Sequence, residues 1–158
     1  MVLVSITAVI RKGNGQHCQL VFVMLVSRVC CCFLHVLKLC YNFGFSGPQK
    51  ILIEKGHIFV SDTDTEVLVN LISTIYYQED GIKFEDAVRA ALSEVVGAYG
   101  IVTICLDEPD TIIAAKLGSP LVIGIGDNEY FLASDASPII DHTRNVIYLD
   151  DGEMASIT

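Results

Sequence analysis

Residues 84–106, FEDAVRAALSEVVGAYGIVTICL, contain a change of hydrophobic period that sets the architecture. In the first half Phe84, Ala87, Val88, Ala91, Leu92 and Val95 recur at three- and four-residue spacing, with Glu85, Asp86, Arg89 and Glu94 opposite them. That stripe predicts an amphipathic helix. After Gly97 the spacing is lost, and Tyr99–Leu106 reads as a β run. Upstream, Val67, Leu68, Leu71, Ile72, Ile75 and Tyr76 form a second helical stripe that Gly81 ends. Thr63-Asp64-Thr65-Glu66 opens it as a capping box, in which Thr63 accepts from the Glu66 N–H while the Glu66 carboxylate reaches back. A short β-prone run, Ile58–Val60, precedes it. Downstream come Thr111–Leu117, Leu121–Ile125, Tyr130–Ala133, Val146–Leu149 and Glu153–Ile157. They are separated by the turns Asp107-Glu108-Pro109-Asp110, Gly118-Ser119-Pro120, Gly126-Asp127-Asn128-Glu129 and Asp150-Asp151-Gly152. Short strands joined by tight turns predict an antiparallel meander. Two helices followed by a meander make an α+β fold, with the helices on one face of a sheet.

The whole chain has 158 residues, 52% of them hydrophobic and 18% charged, which is enough apolar material for one sizeable core. That composition excludes an intrinsically disordered chain, and the missing Gly-X-Y period excludes a collagen-like one. A net charge of −9 argues against a nucleic acid held by phosphate contacts. The average conceals a split. Residues 1–50 hold no Asp or Glu, the bases Arg11, Lys12, Arg28, Lys38 and Lys50, and five of the six cysteines. Residues 51–158 hold all 19 acids against Lys55, Lys83, Arg89, Lys116 and Arg144, a formal −14. The chain therefore divides into an atypical basic, cysteine-rich lead, residues 1–48, and a conventional segment, residues 49–158.

The lead offers no chemistry of its own. The strict apolar run Leu20–Val26 ends at Ser27 and Arg28, short of the about 20 apolar residues a spanning helix needs. Nothing like a small-residue cleavage site follows it, so neither a membrane span nor an export signal is expected. Cys30-Cys31-Cys32 lacks the two- to four-residue gaps of zinc ligands, and Cys18 and Cys40 supply no C-x-x-C partner. These thiols suit a reducing, cytoplasmic compartment. Gly13-Asn14-Gly15 lacks the Lys-Ser/Thr of a phosphate loop and reads as a turn between the β-prone runs Val2–Ile10 and Leu20–Val26. Phe43-Gly44-Phe45-Ser46-Gly47-Pro48 breaks periodic structure and marks the boundary.

In the second segment Cys105 lies inside a β run and reads as core. His57 and His142 have no Cys or Ser partner at a recognisable spacing, and read as surface or turn residues. Tyr76-Tyr77 divides between core and surface, and the acidic turns fit no twelve-residue calcium loop. No metal site is expected. Asp64 is by itself a first-turn acid favoured by the helix dipole.

Four blocks change that last reading. Ser61-Asp62-Thr63-Asp64-Thr65-Glu66-Val67, Gly97-Ala98-Tyr99-Gly100, Gly118-Ser119-Pro120-Leu121-Val122-Ile123-Gly124 and Ala133-Ser134-Asp135 occur in a telling order and spacing. Together they resemble the later half of the glutaminase domain of the glutamine–fructose-6-phosphate transaminase (isomerizing) family, also called glucosamine-6-phosphate synthase. Other class II glutamine amidotransferases, such as asparagine synthetase, carry a shorter SDTE-type block.

The resemblance implies a partial N-terminal-nucleophile hydrolase sandwich of antiparallel sheets flanked by helices. It implies L-glutamine and fructose 6-phosphate as the family's substrates, no cofactor, and Asp64 as the carboxylate that holds the glutamine α-ammonium. The family uses an N-terminal cysteine nucleophile with its α-amine as base, which is sound chemistry at neutral pH. An Asn-Gly pair supplies oxyanion donors, and an Arg-Trp-x-x-His stretch clamps the substrate. This sequence departs from that pattern. Residue 2 is Val2, Phe43 intervenes in Asn42-Phe43-Gly44, there is no tryptophan, and no sugar domain is expected in this chain. No catalytic residue carries over, so the chain alone is expected to be inactive. A sandwich without its partner strands implies open edges and self-association. Two other readings stand beside the first: a fragment of an asparagine-synthetase-type amidotransferase, and a non-enzymatic remnant.

Overall fold

The computed structural model describes residues 8–11, 19–22, 34–38, 43–44, 46–60, 64–78 and 80–158. The strands before the first helix are β1 (Ala8–Arg11), β2 (Gln19–Phe22), β3 (Leu34–Lys38) and β4 (Phe43–Gly44). The helices α1 (Ser46–Glu54), α2 (Asp64–Gln78) and α3 (Phe84–Ser93) follow. Then come β5 (Val96–Gly97), β6 (Tyr99–Cys105), β7 (Ile112–Leu117), β8 (Val122–Ile125), β9 (Glu129–Ala133), β10 (Val146–Tyr148) and β11 (Met154–Ile157).

α2 and α3 form where the apolar stripes predict them. Val67, Leu68 and Ile72 of α2 and Phe84, Ala87, Val88, Ala91 and Leu92 of α3 are buried. α1 is an addition to the two expected helices. Gly47-Pro48 reads as a breaker, yet Pro48 falls in the first turn of α1, where a missing N–H leaves no intrahelical bond unmade. Leu52 then anchors α1 in the core at 1% exposure. The expected strand at Ile58–Val60 does not form, and Ile58 and Val60 face solvent. The turn at Gly13-Asn14-Gly15 and the cysteines Cys18, Cys30, Cys31, Cys32 and Cys40 lie outside the described residues.

The expected meander is divided between two antiparallel sheets. One has the order β10-β8-β9-β1-β2, the other β11-β7-β6-β3, and β4 pairs with β5. β6 and β7 form a hairpin, but the chain leaves their sheet at Gly118-Ser119-Pro120. Gly118 takes the left-handed φ of +65° there, and Pro120 has no N–H to continue a ladder. Strands of the lead enter both sheets: β1 pairs with β9 from Ala8↔Leu132 to Arg11↔Glu129, and β3 with β6 from Leu34↔Cys105 to Lys38↔Ile101.

Alternation along the strands explains their continuous apolar runs. Ile113 and Ala115 of β7 pack under the helices, beside Ile101 and Cys105 of β6. Ile112 and Ala114 of the same strand face the other sheet, meeting Ile123 and Leu132. With both faces covered, such a strand needs no polar side. On the far side of the five-stranded sheet, Val122, Phe131 and Ala133 pack against Ile139 of the turn that follows β9.

Gly124 marks how closely that turn sits. A Cβ there would lie 2.5 Å from Ile139 Cγ2 and 3.1 Å from Thr143 Cγ2. Gly124→Ala should therefore destabilise the protein by about 1–3 kcal/mol through overpacking. A fall of several degrees in Tm is expected, and an unchanged Tm would mean that the 136–143 turn does not seat on β8 as described.

Candidate functional site

The amino end of α2 carries the acids Asp64 and Glu66 in its first turn. Asp64 is half-buried, at the helix end where exposed N–H groups favour negative charge. A carboxylate so placed can accept from a cation. Glu66 is buried at 7% exposure, and its Oε1 accepts from the Val60 N–H at 2.8 Å. The Glu66 carboxylate thus reaches back as far as Val60, while the Thr63 half of the expected capping box lies outside the described residues. Ser61, Asp62 and Thr63 lie outside the described residues.

Glu66 heads a polar row along α2 that the sequence reading missed. Glu66, Asn70, Thr74 and Gln78 follow at four-residue intervals, so they share one helix face. Asn70 Nδ2 donates to the Glu66 carbonyl at 3.0 Å, and Thr74 Oγ1 donates to the Asn70 carbonyl at 2.6 Å. Thr74 Oγ1 also lies 3.0 Å from His57 Nε2. Its single proton is committed to Asn70, so His57 donates from Nε2. Lys55 Nζ donates to Gln78 Oε1 at 3.2 Å. Residues 55, 57 and 60 are thereby fastened in antiparallel order to positions 78, 74 and 66. The visible signal was the four-residue repeat of polar residues inside an otherwise apolar helix.

The turn Asp107–Asp110 serves the helices. Glu108 Oε1 accepts from the Phe84 N–H at 2.8 Å and from the Tyr76 hydroxyl at 3.1 Å, and Asp107 Oδ2 accepts from Tyr77 at 2.8 Å. Lys83, at the N-cap of α3, makes no side-chain cap, so Glu108 satisfies that helix end from a distance. Burial first, and then the Glu108 hydrogen bond, push the Tyr76 hydroxyl well above its ordinary range, which keeps it a donor. Cys105 is buried, and burial pushes its thiol up, against hydrogen bonds from the Asp107 and Glu108 backbone. That suits a core thiol and not a nucleophile.

The other blocks have structural duties. Gly118 packs against Ala98, whose Cβ would stand 3.1 Å from a Cβ at Gly118, so two of the blocks meet there. Asp151 Oδ1 accepts from the Gly118 N–H at 2.8 Å and from Lys116 at 3.0 Å, and those bonds lower its pKa. Asp135 Oδ1 accepts from the Ser137 hydroxyl and N–H, both at 2.6 Å, which holds its pKa down and opens the next turn. His142 is an exposed turn residue stacked on Phe131 at 4.9 Å between ring centroids. Of the residues singled out in the sequence, Asp64 stands half-buried in the first turn of α2. Among the described residues no three His, Cys, Asp or Glu side chains are grouped to hold a metal, and no helix is long and apolar enough to cross a membrane.

No family model matches the chain. Curated relatives do. The glutamine–fructose-6-phosphate aminotransferase [isomerizing] of Chlorobaculum tepidum is 53% identical over 115 residues, which is 73% of this chain and 19% of that protein. The enzyme of the same name from Bacteroides thetaiotaomicron is 52% identical over 109 residues, 69% of this chain and 18% of its own length. That from Thermococcus kodakarensis is 42% identical over 115 residues, again 73% and 19%. The chain thus spans about a fifth of the length of these relatives. Among solved structures, the glutamine phosphoribosylpyrophosphate amidotransferase of B. subtilis, complexed with ADP and GMP, superposes with a TM-score of 0.62 at 21% identity. The match covers 94% of this chain and 28% of that one. A structure described as the allosteric regulatory enzyme of purine biosynthesis gives the same TM-score at 20% identity, over 93% and 28%. The chain is therefore similar to part of the glutamine–fructose-6-phosphate aminotransferases, and it shares the fold of the matched part of the phosphoribosylpyrophosphate amidotransferase.

Proposed function

We propose that residues 49–158 are the later half of a class II glutamine amidotransferase domain, joined to a lead, residues 1–48, of different origin. The family role is transfer of the glutamine amide nitrogen to fructose 6-phosphate, giving glucosamine 6-phosphate, in the cytoplasm and without a cofactor. The observation that carries this reading is identity of 42–53% to enzymes of that name over about 70% of the chain. Asp64 is the substrate residue: its carboxylate holds the α-ammonium of L-glutamine at the first turn of α2. Self-association belongs to the same proposal, through the edge strand β10, where Ile147 and Tyr148 are exposed.

Asp64 is tested in a restored domain, made by joining a family amino-terminal half to residues 49–158. Asp64→Asn keeps the size and much of the helix-end hydrogen bonding. A dry charge-assisted contact is worth roughly 1.5–3 kcal/mol, so the KM for glutamine should rise about tenfold or more while Tm changes little. An unchanged KM with a lowered Tm would reduce Asp64 to a helix-end residue.

A further inference from the structure

We propose that the polar row Glu66–Asn70–Thr74–Gln78 is a clasp that positions Asp64, and that Glu66 is its positioning residue; this rests on the substrate role given to Asp64 above. The segment 55–60 has the β-prone residues Ile58 and Val60, but it joins no sheet and both side chains are exposed. Within the segment Phe59 packs against the helical core, but the exposed Ile58 and Val60 gain nothing from apolar burial, which does not fix the residues around Phe59. Side chains of α2 do: Gln78 takes Lys55, Thr74 takes His57, and the buried Glu66 carboxylate takes the Val60 N–H. A buried carboxylate is costly unless its hydrogen bonds are made, so Glu66 disfavours any arrangement in which Val60 moves away. Glu66 stands in the same helical turn as Asp64, two residues on. Fixing the chain on both sides of that turn limits the directions the Asp64 carboxylate can take, which is how surrounding hydrogen bonds sharpen a binding group.

The full chain is compared with Glu66→Gln, Glu66→Leu and Thr74→Val by NMR. The Val60 amide should exchange about tenfold or more slowly in the parent than in Glu66→Leu, with Glu66→Gln close to the parent because its amide oxygen still accepts. The Asp64 carboxyl resonance should keep its position in Glu66→Gln and shift in Glu66→Leu. If Glu66→Leu does not fold, Thr74→Val decides: the His57 ring should lose its fixed Nε2–H tautomer and the Asp64 resonance should shift. Equal Val60 exchange in parent and Glu66→Leu overturns the clasp, as does an Asp64 resonance that no variant alters. A protected Val60 in the parent together with an unchanged glutamine KM for Asp64→Asn in the restored domain overturns the substrate role instead, and with it the positioning role.

Discussion

Deletion of residues 1–45 should abolish cooperative thermal unfolding and turn a defined species into large aggregates. β1 covers the edge of β9 along four paired residues, and β3 covers the edge of β6 along five. Without them both inner strands become edges, with rows of unpaired N–H and C=O groups beside an apolar core. A domain is stable by only about 5–15 kcal/mol, so loss of two strand pairings and of the surface they cover is enough to remove it. Scanning calorimetry and light scattering on the full and shortened chains measure the effect directly. A shortened chain that stays monodisperse with an unchanged Tm would mean that the lead is an appendage, and its strand pairings unimportant to the fold.

A polypeptide of these 158 residues should release no glutamate from L-glutamine above a buffer blank. The one described cysteine, Cys105, is buried with its thiol pushed up, and the sequence has no tryptophan to complete an Arg-Trp clamp. Loss of a covalent nucleophile removes the reaction path, whereas loss of one oxyanion donor costs only about 100- to 1,000-fold. Turnover that persists when Cys18, Cys30, Cys31, Cys32, Cys40 and Cys105 are all replaced would reveal another nucleophile and sink this account of the chain.

What local sequence could show, it showed well. The stripes of α2 and α3 depend on the helical period alone, and most of their apolar positions are buried, with Leu71, Ile75, Tyr76 and Val95 half-buried against the same core. α1 was hidden because Pro48 is a breaker inside a helix but harmless in its first turn, a distinction that needs the helix start to be known. Ile58–Val60 has β propensity without a strand to pair with, and tertiary context decides such cases. The division of β6, β7 and β11 from β8, β9 and β10 is a matter of long-range pairing, to which periodicity is blind. For the site, the motif block pointed to Asp64, and the structure sets it half-buried at a helix amino end. The row from Glu66 to Gln78 went unseen because each residue, taken singly, is an ordinary polar position on a helix.

The central claim is that residues 49–158 remain a working half of a glutamine amidotransferase domain. The most direct measurement is glutamate release by a chimera that joins a family amino-terminal half, with its N-terminal cysteine, oxyanion pair and clamp, to these residues. Glutaminase turnover is expected, and it should be lost when the supplied cysteine is replaced by alanine. A chimera that unfolds cooperatively, and so is folded, yet releases no glutamate would contradict that claim.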